Sequence, residues 1–161
     1  MKKLVLGPGP GFRDRKKQDL EKGIETIGID IIPEFEPDYC HDIEEVWGLT
    51  GQHDFFNEVE AHHIFEHIES NKTFKRIMWD IFYTLKPGGY LDICVPYWKD
   101  DSAVECFEHI RFFNENSFMN FYDNRYAKEM GLPIFEKVVN EIRKHGNGST
   151  EVHVTLRKPS L

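Results

Sequence analysis

The stretch NEVEAHHIFEHIESNKTFKRIMWDIFYTLKPGGYLDICVP, residues 57–96, decides the fold. Its middle reads as a helix that starts near Ser70 or Asn71, either of which can cap it. Phe74, Ile77, Met78, Ile81, Phe82 and Leu85 then follow at three- and four-residue steps and form one wide apolar stripe. Lys86-Pro87-Gly88-Gly89 stops that helix and turns the chain. NEVEAHHI, before the helix, alternates as a strand does, although Glu60 is an awkward guest in a sheet covered on both faces. YLDICVP, after the turn, is a second strand. Strand, helix, turn and strand in this order is what a parallel α/β sheet requires.

Working outward, KLVL at 3–6 is a short apolar run that stops at Gly7-Pro8-Gly9-Pro10-Gly11. ETIGIDII is β-branched and apolar, as a buried strand is, and DYCHDI allows a short third strand. A loop rich in aromatic and charged residues is expected over 97–113, and a helix from about Asn114 carrying Phe118, Met119 and Phe121. IFEKVVNEIRK suits either a helix face or alternate strand positions. The turn signal HGNGS and the alternation of TEVHVTL behind it favour a closing β-hairpin. No internal repeat, low-complexity tract or linker is present.

A chain of 161 residues suits one domain, long enough to bury about 70% of its unfolded surface. Its 40% hydrophobic and 30% charged residues describe a globular protein rather than a disordered one. The net charge of −8 gives a phosphate backbone a repulsive average field, so nucleic acid is not the expected partner. Cys40, Cys94 and Cys106 form no C-x-x-C pair, which favours reduced thiols in an intracellular protein. No secretory leader opens the sequence and no run approaches the ~20 apolar residues that span a bilayer. The expectation is a soluble, cytoplasmic domain with no membrane partner; its oligomeric state cannot be read.

The glycine run carries the first functional signal. Glycines at alternate positions let the backbone bend tightly and approach a ligand that a Cβ would push away. Asp30 stands at the end of the second strand, 19 residues after Gly11. That is the spacing at which a carboxylate takes the two hydroxyls of a ribose. A dinucleotide site needs G-x-G-x-x-G with room for a pyrophosphate on a helix N-terminus. Here the pattern is G-x-G-x-G and the following FRDRKKQDLEKG has a poor apolar stripe. A smaller adenosine cofactor without a pyrophosphate fits better, and a nicotinamide oxidoreductase is the weakest alternative.

Taken in order, KLVLGPGPG, IGIDI, DFFNEVEAHHIFEHI, LKPGGYLDICVP and EHIRFFNENSF resemble the successive blocks of class I S-adenosylmethionine-dependent methyltransferases. The resemblance spans roughly residues 3–121, with a plausible closing hairpin at 134–157. It implies a Rossmann-like, doubly wound, mostly parallel seven-stranded sheet with one antiparallel strand and helices on both faces. It also implies S-adenosylmethionine as cofactor. Gly7, Gly9 and Gly11 would form the loop beside the cofactor's methionine part, Asp30 would take the ribose, and Asp42 would lie by the adenine. His62 and His63, closing the fourth strand, would lie near the transferable methyl. The family commonly has an acidic or amide residue two places before the first glycine, where this chain has Val5. The implied reaction is methyl transfer to a small-molecule or protein acceptor. Its alternative is a non-catalytic member of the same fold that binds the cofactor or a partner.

His63-Ile64-Phe65-Glu66-His67 also matches H-x-x-E-H, a zinc-peptidase pattern that needs both histidines on one helix. Here His63 closes a predicted strand and the helix begins only near residue 70, so a zinc hydrolase is a remote alternative and no metal ligand is assigned. At the carboxyl end of an open α/β sheet the same string borders the ligand crevice. His63, His67 and His109 are then the candidate general bases, with Glu66 able to orient an imidazole. Arg111 lies in the same long loop as His109, and Tyr97 and Trp98 are candidate pocket walls. Arg13, Arg15, Lys16 and Lys17 are read as a solvated face.

Overall fold

A computed structural model describes residues 1–45 and 52–160. Seven strands, β1 (Lys2–Leu6), β2 (Glu25–Asp30), β3 (Tyr39–Cys40), β4 (Phe56–His62), β5 (Leu85–Pro96), β6 (Glu136–Lys144) and β7 (Thr150–Arg157), form one sheet. Their order is β3-β2-β1-β4-β5-β7-β6. The β1 to β5 pairings are parallel, and β7 runs antiparallel to both β5 and β6. Strand order reverses between β1 and β4, and such a switch point opens a crevice at the carboxyl ends of the strands.

Register sorts the two faces. Leu4 and Leu6, Val59 and Ala61, Leu91, Ile93 and Val95, and Val152, Val154 and Leu156 all project to one side. There α2 (Asn71–Thr84) lays Ile77, Met78 and Ile81 against them to make the main core. Ser70 caps α2, its Oγ accepting from Thr73 N at 3.0 Å, and removing such a cap costs about 0.5–2 kcal/mol. The turn at Lys86–Gly89 is taken up inside β5 as a register shift, since Phe56 pairs with Leu85 and Glu58 with Tyr90.

The opposite face is built differently. α1 (Phe12–Glu21) covers β2, with Phe12 and Asp19 its buried residues. Phe12 lies on Gly28, Asp19 Oδ2 accepts from Thr26 Oγ1 at 2.8 Å, and Arg15 reaches Glu60 at 3.0 Å. A helix fastened by one ring and several polar pairs needs no apolar stripe, which is why FRDRKKQDLEKG lacks one. Glu60 is accommodated by Lys3 at 2.5 Å together with Arg15. Beyond α1 this face carries Glu60 and His62 on β4, Asp92 and Cys94 on β5, and Glu151, His153 and Thr155 on β7.

The segment after β5 departs from expectation. No helix runs from Asn114; the chain forms α3 (Ser102–Glu105), a 3₁₀ turn at Met119–Phe121 and α4 (Asn124–Met130). Asn114 Oδ1 accepts from Asn116 N at 2.9 Å, while Asn114 N donates to Ser117 Oγ. These local bonds compete with a helical start. Phe118 stacks on Phe113 at 5.3 Å, so the aromatics of this stretch fill the core from a loop. The closing hairpin forms as expected, with His145 N donating to Ser149 O at 2.9 Å. No helix among the described residues is long and apolar enough to cross a membrane.

Candidate active site

Three chain reversals shape a cavity of about 730 Å³ at the carboxyl ends of β1, β2 and β4. The first is the glycine run. Gly7 and Gly9 have φ of 59° and 64°, a region that L side chains rarely enter. A Cβ on Gly7 would stand 1.9 Å from Ile64 Cδ1, whereas one on Gly9 would meet nothing within 4 Å. Gly7 therefore lets the reversal after β4 pack on it, and Gly9 keeps its backbone beside open space. Gly11 is set apart: at φ 78° it precedes α1 and accepts from Arg15 N, and it does not line the cavity.

Asp30 ends β2 facing this loop. Its Oδ2 accepts from Gly9 N at 3.1 Å and its Oδ1 from Ile32 N at 2.9 Å. The carboxylate is thus fixed by backbone donors with one lone pair left on each oxygen. Asp42 follows β3 on the same cavity wall, its Oδ1 accepting from Glu44 N. Ile31, Ile32, Phe107 and Ile110 are exposed apolar residues around the opening. Asp30, Asp42, Glu44, Glu69 and Glu108 are also on the wall, and no Lys or Arg is among its described residues.

The string at 62–67 straddles the third reversal. β4 ends at His62, His63 takes φ 55°, and Phe65–His67 forms a 3₁₀ turn. No helix joins His63 to His67, so the one-face geometry of a zinc-peptidase pair is absent. Alternation along β4 sends His62 to the polar sheet face, and, unlike His63, it does not line the cavity. There His62 Nε2 lies 2.8 Å from Asp92 Oδ2, and His153 Nε2 lies 2.8 Å from Asp92 Oδ1. Burial works to raise the Asp92 carboxyl, but the bonds from His62, Thr155 and His153 outweigh it and hold it near 2.

His63 faces the cavity with a carboxylate on either side of its ring. Nδ1 is 3.4 Å from Glu66 Oε1 and Nε2 is 2.9 Å from Glu151 Oε1. The Glu66 carboxylate beside Nδ1 raises its pKa, burial opposes this, and the charge of Glu151 reinforces the rise. Glu151 also accepts from Cys94 Sγ and pairs with His145. Burial, then Glu151, pushes the Cys94 thiol upward, so it stays protonated. His67 lines the cavity, while His109 stands behind it, the two rings meeting edge to face at 4.8 Å.

Arg111 does not close over the cavity. Its guanidinium donates to Ile68 O, Glu69 O and Asn71 Oδ1, clamping its loop to the start of α2. Tyr97 and Trp98 are likewise off the cavity wall; Trp98 N bonds to Phe113 O and its ring lies under Lys99. Glu151 is the residue that sequence reasoning missed. The alternation of TEVHVTL puts it on one face with His153 and Thr155, but only the β5–β7 register brings it to His63.

With this strand order, the glycine reversal and the carboxylate after β2, the fold is that of the class I S-adenosylmethionine-dependent methyltransferases. No protein-family model and no curated protein matches the chain. Among solved structures it is similar to a SAM-dependent methyltransferase from Archaeoglobus fulgidus, with TM-score 0.72 and 16% identity over 98% of this chain and 86% of that one. It is similar as well to the 1,6-didemethyltoxoflavin-N1-methyltransferase of Burkholderia thailandensis with bound 1,6-didemethyltoxoflavin and S-adenosylhomocysteine. That match has TM-score 0.68 and 18% identity over 99% and 71% of the two chains. A third such structure is the cyclase SpnF, with TM-score 0.68 and 15% identity over 99% and 76%.

Proposed function

We propose that the cavity binds S-adenosylmethionine and that the protein transfers its methyl group to a small-molecule or protein acceptor. The observation that carries this reading is the Asp30 carboxylate, held by Gly9 N at 3.1 Å beside a glycine reversal that opens on the cavity. Asp30 would take the ribose hydroxyls and Asp42 would lie by the adenine. Five carboxylates and no described Lys or Arg on the wall suit a sulfonium cation. They oppose a pyrophosphate, which sets the site apart from a nicotinamide one.

S-adenosylmethionine brings an activated methyl group. The protein's share is to hold the nucleophile at near-attack distance, where alignment contributes on the order of 7–11 kcal/mol. For a hydroxyl or amine acceptor, an imidazole on the wall, His63 or His67, takes the proton. His109 stands behind the wall and acts through its neighbours. The exposed apolar rim of Ile31, Ile32, Phe107 and Ile110 fits an acceptor with an apolar ring or chain.

Calorimetry with S-adenosylmethionine, S-adenosylhomocysteine and NAD⁺ tests the reading. Saturable binding of the first two, but not of NAD⁺, is expected. Silence toward both adenosyl ligands at millimolar concentration removes it. Because one protein of this fold is named for a cyclisation, turnover is assayed separately by methyl transfer to ring-bearing alcohols and amines. Tight binding without turnover on any acceptor would favour the non-catalytic member of the fold.

A further inference from the structure

Glu66 is 1% exposed, and among the described residues neither of its carboxylate oxygens has a hydrogen-bond partner. A buried polar group left in that state is costly unless a donor or a cation meets it. Its nearest imidazole nitrogens are His63 Nδ1 at 3.4 Å and His109 Nε2 at 4.0 Å, both without hydrogen-bond geometry. His109 Nδ1 is also buried and unpartnered. One ligand atom from each of Glu66, His67 and His109 lies within 4.8 Å of the others. The backbone fixes that grouping, because Ile110 N and Arg111 N both donate to Glu66 O and fasten the 107–111 loop onto the 3₁₀ turn.

We infer that Glu66, His67 and His109 form a binding site for a first-row divalent transition-metal ion, Zn²⁺ or Fe²⁺, at the edge of the cavity. Two imidazoles and one carboxylate are the donor set of three-ligand Zn²⁺ and non-haem Fe²⁺ centres, which keep positions open for water or substrate. With metal–ligand bonds of roughly 2.0–2.2 Å, donor atoms on one ion stand about 3.3 Å apart, so only a small closing of the rings is needed. The site differs from the H-x-x-E-H reading: His67 is shared, but His109 from a distant loop takes the place of His63. His63 groups instead with Cys94 and Glu151, whose polar atoms already bond to one another.

An ion here would carry its open positions toward the cavity that His67 lines, ready to take an acceptor oxygen and lower its pKa. That consequence rests on the methyl-transfer reading; the metal site itself does not. With His67 bound to the ion, His63 is the candidate general base left on the wall.

The test is metal binding by the chelator-stripped full chain, with no adenosyl ligand present. One equivalent of Zn²⁺ should bind by calorimetry, and Co²⁺ as a substitute should develop visible absorption of a nitrogen- and oxygen-ligated ion. His67→Ala and His109→Ala should each weaken binding by at least about tenfold. Glu66→Gln should weaken it too; circular dichroism verifies that each variant is folded. The inference is overturned if no stoichiometric binding occurs. It is equally overturned if binding survives all three substitutions but is lost in Cys94→Ser, which would move the ion to the His63 cluster. Methyl-transfer failure with metal binding intact would count against the functional reading alone.

Discussion

A methyl group added at Gly28 would sit 2.4 Å from Cζ of Phe12. Gly28 has an ordinary backbone conformation, so the demand is one of space, and Phe12 is the only apolar anchor buried by α1. Gly28→Ala should destabilise the protein by about 1–3 kcal/mol, the usual cost of overpacking. Chemical denaturation measures it, and Phe12→Leu in the same chain should recover part of the loss. Asp30 presents the opposite case, a residue whose native bonds are satisfied but whose remaining lone pairs face open space. On the proposed reading, Asp30→Ala lowers S-adenosylhomocysteine affinity by about tenfold or more, since the lost hydrogen bonds involve a charged partner. Calorimetry that shows unchanged affinity in a folded variant would remove Asp30 from the site.

At the scale of elements, α2 and α1 hold to the sheet by different means. The α2 cap is carried by one hydroxyl, so Ser70→Ala should cost about 0.5–2 kcal/mol with no effect on ligand affinity. Thermal melts and calorimetry on the same sample check both halves of that statement. Ile81, wholly buried in the core beneath α2, belongs to a costlier class; Ile81→Ala should lose about 2–5 kcal/mol. The helix, the strand behind it and the closing hairpin were legible because their apolar periods are strong. α1 and the segment after Asn114 were not. The former is fixed by Phe12 on Gly28 and by polar pairs, and the latter by side-chain bonds of Asn114 and Ser117 that no apolar period records.

Across the whole molecule, the two sheet faces follow different chemistry. One is an apolar core; the other, beyond α1, joins β4, β5 and β7 through Asp92. His62 and His153 reach that carboxylate from either side, and Thr155 Oγ1 donates to it at 2.8 Å. The folded Asp92 carboxyl, near 2 against an ordinary 3.8, binds fewer protons than the unfolded one as pH falls. Its contribution is therefore complete above about pH 4 and disappears as pH drops toward 2, on the order of 2 kcal/mol in all. Asp92→Asn should be less stable than the parent at pH 7 by a similar amount, with the gap narrowing toward pH 2. Urea denaturation at the two pH values measures the difference. An unchanged gap would assign the loss to packing.

The order of blocks along the chain determined the fold class, the glycine reversal and the carboxylate after β2. Each of these rests on local spacing, period or backbone freedom, which a linear sequence carries whole. Tertiary structure alone decided that His62 turns from the cavity while His63 enters it, because strand alternation depends on the residue at which the strand ends. It alone brought Glu151 to His63 and His109 to Glu66. Those partners lie 88 and 43 residues apart, and their meeting depends on strand register and on a loop fastened through backbone bonds, neither of which any local pattern encodes.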